Sequence, residues 1–439
     1  MPSEDLEKIA RKIIAEAKRA GATDCDVTIS TRSAVETTVR MGEVEKLEGA
    51  QMRGVEFRAL VGHKSASTST SDLSASAIKQ MVRDTIAMAE ASEADPYSGL
   101  PEVEDLCTGY PELNLYDPSI AEIAVERKIE LAMAAESAAR EADSRITNSD
   151  GASFNDSSGA FIHANSRGFV GGYQGSHVSL SAGVVASKDG EMQTGGWWAT
   201  SRDFKGLESP EKVGKTAAQR ALRQLGARKV KSQEVPVIYD PLMAARLLSQ
   251  FIGAASGAHI YRKSSFMVDK LGEMVANSIV TVIDDPLMPG RLGSKPFDSE
   301  GMKCQTRTLI KDGRLETYLL SSYAGRKLNC KPNSGSVGNL YLKPGDSTPE
   351  SIIESVKNGL LLTSVSGMGF NAVTGDYSMG ASGTWIENGK LAYPVSGITV
   401  AGNVLEMFGN IEAIGNDLNF RSSTVSPTIK ISKMTVAGE

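Results

Sequence analysis

Twice along this chain an apolar stripe with helical period gives way to period-two alternation and then to a second helical stripe, an order that points to an α+β fold. In the first pass Leu6, Ile9, Ala10, Ile13, Ile14 and Ala17 form the stripe, Ser3 stands in the cap position and Gly21 closes the helix. Residues 26–30, 35–40 and 55–60 then alternate, with Gly42 and Gly54 read as turn points, and this predicts a small antiparallel sheet. Ile78, Met81, Val82, Thr85, Ile86 and Ala89 make the next helix, behind a cap at Asp72 or Ser74. In the second pass Asp117-Pro118 opens a helix running to about Ala142, because proline loses nothing in a first helical turn. Residues 151–202 read as short strands between Gly and Ser turns, and Ser209-Pro210 opens a helix ending near Gly226. This repetition of order fits an internal duplication over 1–110 and 111–228, and it fits generic α+β alternation equally well.

Residues 225–236 combine a helix stop, basic residues and a proline, which places a domain boundary there. The expected division is an N-terminal α+β domain over 1–228 and a sheet-rich C-terminal domain over 229–439. The second domain opens with a buried strand at Val237, Ile238 and Tyr239 and a helix from Asp240-Pro241. Glycine-punctuated strands follow at 279–283, 306–311, 316–321 and 383–386, with helices behind Thr348-Pro349 and over about 403–414.

A length of 439 residues exceeds what one core usually supports, so two domains are natural. The net charge of -6 offers no clustered cations for a phosphate backbone, which argues against direct nucleic-acid binding. No run of eighteen apolar residues occurs, and the acidic first residues lead into an amphipathic helix, so neither a membrane span nor a signal peptide is expected. Four scattered cysteines, Cys25, Cys107, Cys304 and Cys330, make no disulfide framework or redox pair and suit a reducing cytoplasm.

Local sequence also offers no metal or nucleophile motif. The histidines, His63, His163, His177 and His259, are far apart, whereas a zinc motif usually takes two ligands from one helix. Serines in the expected loop at 65–71 have no Gly-x-Ser-x-Gly elbow around them. Asp284-Asp285 reads as a turn before Pro286, and Gly367-x-Gly369 lacks the third glycine of a dinucleotide loop.

Three blocks carry a resemblance. Residues 371–390 read Asn-Ala-Val-Thr-Gly-Asp-Tyr-Ser-Met-Gly-Ala-Ser-Gly-Thr-Trp-Ile-Glu-Asn-Gly-Lys, residues 285–301 hold Asp-Pro-Leu-Met-Pro-Gly, Phe-Asp and Glu-Gly, and residues 261–266 read Tyr-Arg-Lys-Ser-Ser-Phe. Together they resemble the TldD/PmbA peptidase family. The resemblance implies two kinds of subunit: TldD-type chains carry His-Glu-x-x-x-His and bind zinc, whereas PmbA or TldE partners lack it. Counting back from Arg262-Lys263 puts that window on Ser249, Gln250, Phe251, Ile252, Gly253 and Ala254. Serine and alanine cannot stand in for imidazoles, and Gln250 has the shape of Glu without its basic carboxylate. No His or Glu occurs from Leu242 through Ala258, and no cysteine after Cys330 could give the thiolate that the resemblance implies near the carboxyl end.

The resemblance therefore implies a PmbA/TldE-like subunit with no catalytic residue and no cofactor of its own. Zinc would come from a TldD-like partner, and the substrates would be unfolded peptides or peptide leaders, added as strands to an exposed edge of the second domain. In isolation the chain is expected to form a homodimer through that domain. A non-enzymatic protein-binding regulator, the sense of the name gyrase modulator, is the alternative. Gln250, Arg262, Lys263, Asn371, Asp376 and Glu387 are the residues expected to touch peptide or partner, with salt bridges and turn caps as their plainer role.

Overall fold

A computed structural model describes residues 3–438, without the Ser3 side chain, so the expected Ser3 cap lies outside the described residues. Helix α1 (Ser3–Arg19) buries Leu6, Ala10, Ile13 and Ala17, the stripe read from the sequence. Strands β1 (Asp24–Arg40), β2 (Glu43–Val61) and β3 (Lys64–Thr70) follow, then α2 (Ala75–Ala91), whose first turn is capped by Ser74. The same order returns as α3 (Val125–Arg140), β4 (Ile146–Asn165), β5 (Val170–Lys188), β6 (Glu191–Ser201) and α4 (Pro210–Leu222), with Ser209 capping α4. Antiparallel pairing of β1 with β4 joins the two sets into one six-stranded sheet, in the order β3-β2-β1-β4-β5-β6.

All four helices lie on one face of this sheet. Along β1 the odd positions Val27 and Ile29 pack under α1 and α2, and Val39 further along packs under α3 and α4. The small sheet expected from 26–60 is therefore only part of a larger one. Gly54 is no turn: it sits inside β2 opposite Ser30, while Gly42, with φ +81°, does make the hairpin turn. The glycines of 151–202 were expected at turns, yet several stand within long strands where backbones approach closely. A Cβ at Gly159 would lie 2.0 Å from the Thr31 carbonyl oxygen. Serines 65–70 likewise belong to β3 and not to a loop.

The helix expected after Asp117 is split. Asp117 caps a short 3₁₀ turn (Pro118–Glu122), Ile120 is buried beneath it, and extended backbone at Ile123 and Ala124 separates it from α3. Between α2 and α3 the chain runs as a strap over the second half of the molecule. Cys107 N–H donates to Gly301 O (2.9 Å), Tyr323 Oη donates to Asp95 Oδ2 (2.6 Å), and Arg326 Nη1 donates to Tyr97 O (3.0 Å).

From residue 233 the elements are β7 (Gln233–Tyr239), α5 (Pro241–Gly253), α6 (Gly257–Tyr261), β8 (Val282–Asp284), β9 (Arg307–Lys311), β10 (Arg314–Leu315) and α7 (Ser322–Leu328). Then come β11 (Leu340–Leu342), α8 (Pro349–Glu354), β12 (Asn358–Ser366), β13 (Asp376–Glu387), β14 (Lys390–Asn403), α9 (Val404–Gly409), β15 (Ile411–Ile414), β16 (Thr424–Val425) and β17 (Ile429–Ala437). One sheet runs β14-β13-β12-β7-β17-β15, and an additional β14–β17 pairing closes most of it on itself. The second runs β10-β9-β8-β11-β16. Tyr239, Phe251, Trp385 and Phe408 fill the core of this half. Three expectations change here: the strand expected over 279–283 begins only at Val282, residues 316–321 form no strand, only a bridge at Leu319, and the helix over 403–414 ends at Gly409 before β15. No helix among the described residues is long and apolar enough to cross a membrane.

Candidate functional site

Helix α5 begins where the sequence places it. The Asp240 carboxylate accepts Met243 N–H (2.9 Å), and Pro241 occupies the first turn. Burial pushes the Asp240 carboxyl above its ordinary value, against the pull of the Met243 N–H and of Arg220 and Arg223. Ala244, Leu247, Leu248, Phe251 and Ile252 face the core, which fixes the rotation of the helix. Ser249 is consequently exposed, Gln250 half-buried and Ala254 buried.

Positions 249 and 254 thus point to different surroundings. Ligands five residues apart sit about 140° apart around a regular α-helix. The helix stays regular here, since Ala254 N–H still donates to Gln250 O (3.3 Å). Gly253 has open space around its missing side chain, and Gly257 is required by packing: a Cβ there would lie 2.6 Å from the Ala324 Cβ. Neither glycine bends α5. Gln250 Oε1 is buried without a hydrogen-bond partner, the neutral end of a side chain where the resemblance places a general base. Among the described residues no three His, Cys, Asp or Glu side chains lie close enough to hold a metal ion. A serine hydroxyl, a carboxamide and a methyl group do not fit a zinc ion.

Past α5 the chain turns sharply. Ser265 Oγ donates to Ala254 O (2.6 Å) and accepts Met267 N–H (2.9 Å), pinning the 257–267 segment beneath the helix end. Lys263 sits in the left-handed region (φ 53°), so Arg262 and Lys263 protrude at the corner. Both are exposed, and neither makes an ion pair among the described residues; the Arg262 guanidinium lies 5.3 Å from the Tyr261 ring. His259 Nδ1 lies 3.4 Å from Ser264 Oγ, a long, exposed contact, and among the described residues no acid is hydrogen-bonded to the ring.

Phe266 N–H donates to Ala372 O (3.2 Å), joining this corner to the 367–376 loop. That loop closes on itself. Asn371 N–H donates to Asp376 O (2.9 Å), Asn371 Oδ1 accepts Val373 N–H (2.9 Å), and Thr374 Oγ1 donates to Asp376 Oδ2 (2.6 Å). Asn371 and Asp376 therefore act as turn caps. The ring of Phe251 stacks on Phe408 at 3.7 Å and faces Phe266 at 6.2 Å, so α5, the corner and α9 share one aromatic core. Along the chain and through the Phe266–Ala372 bond, Gln250, Arg262, Lys263, Asn371 and Asp376 are linked to this core.

Glu387 is not. It ends β13, opposite Lys390 across the next hairpin, while Asp376 begins that strand, roughly 36 Å away at ~3.3 Å per residue. Sequence reading missed two apolar side chains on the loop, Met368 (100% exposed) and Val373. Only the Gly-x-Gly turn that presents Met368 signalled them. An exposed cationic corner beside an open apolar loop can hold a carboxylate and an extended chain, and it contains no activated nucleophile.

Against known proteins, the PmbA/TldA metallopeptidase family matches in three parts: domain 1 over residues 25–89, the central domain over 118–225 and the C-terminal domain over 232–438. A metalloprotease PmbA homolog of Haemophilus influenzae is 37% identical, over 99% of this chain and 96% of that one. Metalloprotease PmbA of Escherichia coli O157:H7 is 36% identical, over 97% and 94%. The crystal structure of a candidate modulator of DNA gyrase from Bacteroides thetaiotaomicron superposes with a TM-score of 0.96 at 29% identity, covering 100% of both chains.

Proposed function

Because the chain belongs to the PmbA/TldD metallopeptidase family, we propose that it is the PmbA/TldE-like subunit of a metallopeptidase acting on unfolded peptides or peptide leaders. The observation that carries this reading is the regular, ligand-free end of α5, with Ser249 in solvent and Ala254 in the core. A TldD-like partner supplies zinc, which when bound polarises the scissile carbonyl and activates water. This chain contributes surface: Arg262 and Lys263 offer a carboxylate two exposed cations, and the 367–376 loop offers apolar contact through Met368 and Val373. Asn371 and Asp376 keep that loop in shape, and Glu387 belongs to a separate surface.

The compartment proposed is the cytoplasm, and the isolated chain self-associates as a homodimer. The relatives' name for a gyrase modulator supports a second reading, a protein-binding regulator, with direct DNA contact disfavoured by the net charge of -6. Pull-down with tagged chain distinguishes them. Recovery of a zinc-bearing homologue together with chelator-sensitive peptide cleavage supports the subunit reading, and recovery of gyrase alone overturns it.

A further inference from the structure

The four helices do not cover their face of the six-stranded sheet evenly. On β1, Val27 and Ile29 lie under α1 and α2, Val39 lies under α3 and α4, and between them the same face presents Thr31 and Ser33. The register carries this polar interval across four strands. Ser33 stands opposite Gln51 of β2 and Ser158 of β4, and Thr31 stands opposite Arg53 of β2 and Ala160 of β4, which faces Gln174 of β5. Four strands ~4.8 Å apart and two rungs at ~3.3 Å per residue make a floor of roughly 14 by 7 Å.

Over this floor, between the helix pairs, is an open cleft of about 610 Å³, walled by Leu73 ahead of α2 and Tyr116 ahead of the 3₁₀ turn. No Asp or Glu lines it. One step along β4, Asp156 is buried in an ion pair with Lys128 of α3 (2.7 Å), and Asp72, beside the Leu73 wall, accepts Ser74 N–H (2.8 Å). Arg53 Nε donates to Ser71 O (3.0 Å), which holds the guanidinium at one corner of the floor, and among the described residues Arg53 has no ion pair. Thr31 Oγ1 accepts Ala160 N–H (3.2 Å), whereas the side chains of Ser33, Gln51, Ser158 and Gln174 make no hydrogen bond among the described residues. Hydroxyls and carboxamides both donate and accept, so they match a ligand whose groups do the same. β1 and β4 are paired on both sides, which leaves an extended peptide no backbone edge to join here.

We propose that this cleft binds a small anionic carbohydrate, a sugar carrying one phosphate or carboxylate. Arg53 takes the anion through the guanidinium nitrogens that Ser71 leaves unused, a charge-assisted contact that suits either oxyanion. The Ser and Gln side chains of the floor bond the ring hydroxyls, and Tyr116 and Leu73 cover the C–H face of the ring. Phe161, which packs on Phe297 of the second half, points to the opposite face of β4, so the cleft is separate from the peptide-contact surface proposed above. The inference goes beyond that function and does not rest on it.

Isothermal titration of the full-length chain with glucose 6-phosphate, glucuronate, glucose and inorganic phosphate tests the site. The expected result is binding of at least one sugar anion, with glucose and inorganic phosphate each roughly tenfold weaker or more, and a Kd for the anion raised roughly tenfold by Arg53→Gln. Ser33→Leu, which fills the floor from an exposed position, should abolish binding, and both variants should keep the Tm of the parent chain. No binding of either sugar anion at millimolar concentration overturns the proposal. So does glucose or inorganic phosphate binding as tightly as the sugar anion, an affinity that Arg53→Gln leaves unchanged, or tighter capture of an acidic Glu-Ser peptide that Arg53→Gln weakens.

Discussion

At positions 249 and 254 the obstacle to a zinc site is rotation as well as residue identity. Ala254 is 1% exposed and Ser249 faces solvent, so restoring the motif by Ser249→His, Gln250→Glu and Ala254→His points two imidazoles apart and drives one into a packed core. We expect no tight stoichiometric zinc, and a stability loss of about 1–3 kcal/mol from overpacking. Stoichiometric zinc with peptide turnover in the triple variant would contradict this. His163 gives a second prediction at the same scale. Burial holds its pKa below the ordinary histidine value, and the weaker influence of Asp26 and Asp298 does not offset it; burial lowers His177 in the same way. The unfolded chain therefore binds these protons first, so the contribution is fully present above the ordinary histidine pKa and is lost as pH falls below it. Thermal unfolding between pH 7.5 and 5.5 should show a falling Tm, with a shallower fall in His163→Gln; equal slopes would remove His163 from the account. The sequence displayed Ser249, Gln250 and Ala254 plainly. It could not display that α5 stays regular, because that depends on which face the core captures.

Among the elements, capped helices with a long apolar stripe were legible, whereas strand lengths, the break after Asp117 and the short helices α6 and α7 were not. Stripes such as Leu6 to Ala17 and caps such as Asp240 and Ser209 act within a turn of the chain, so local sequence contains the whole cause. The distal half of β2 is exposed on both faces and lacks apolar alternation, and its pairing with β1 is recorded in the partner strand instead. Glycines misled for a related reason. Gly159 and Gly54 read as turns, whereas Gly159 is required by a neighbouring backbone that only the folded sheet brings near. The Glu136 carboxylate is the non-local tie that holds the β1–β2 hairpin to α3. Glu136→Ala should cost about 2 kcal/mol, since hydrogen bonds to a charged group are among the stronger ones. It should also release hydrogen-exchange protection at residues 38–46 before that of α1. Unchanged urea midpoint and unchanged protection in the hairpin would show that the carboxylate does not hold it.

For the whole molecule, the function proposed above is a division of labour in which this chain would supply a shaped surface and a TldD-like chain would supply the zinc. The α+β architecture and the family were legible in the sequence because motif blocks at 261–266, 285–301 and 371–390 are local. The separation of Glu387 from the other candidate contacts was not, because it lies at the far end of the strand that Asp376 begins. Charge reversal at the corner, Arg262→Glu with Lys263→Glu, should weaken peptide capture by the assembled enzyme roughly tenfold at low salt and leave zinc content unchanged. Equal capture by the variant would move the peptide elsewhere. The most direct measurement is peptide cleavage and zinc content of the purified chain alone and after mixing with a purified TldD-like homologue. The expected results are no cleavage and no stoichiometric zinc for the chain alone, and cleavage that chelators abolish in the mixture; chelator-insensitive proteolysis by this chain alone would contradict its proposed role.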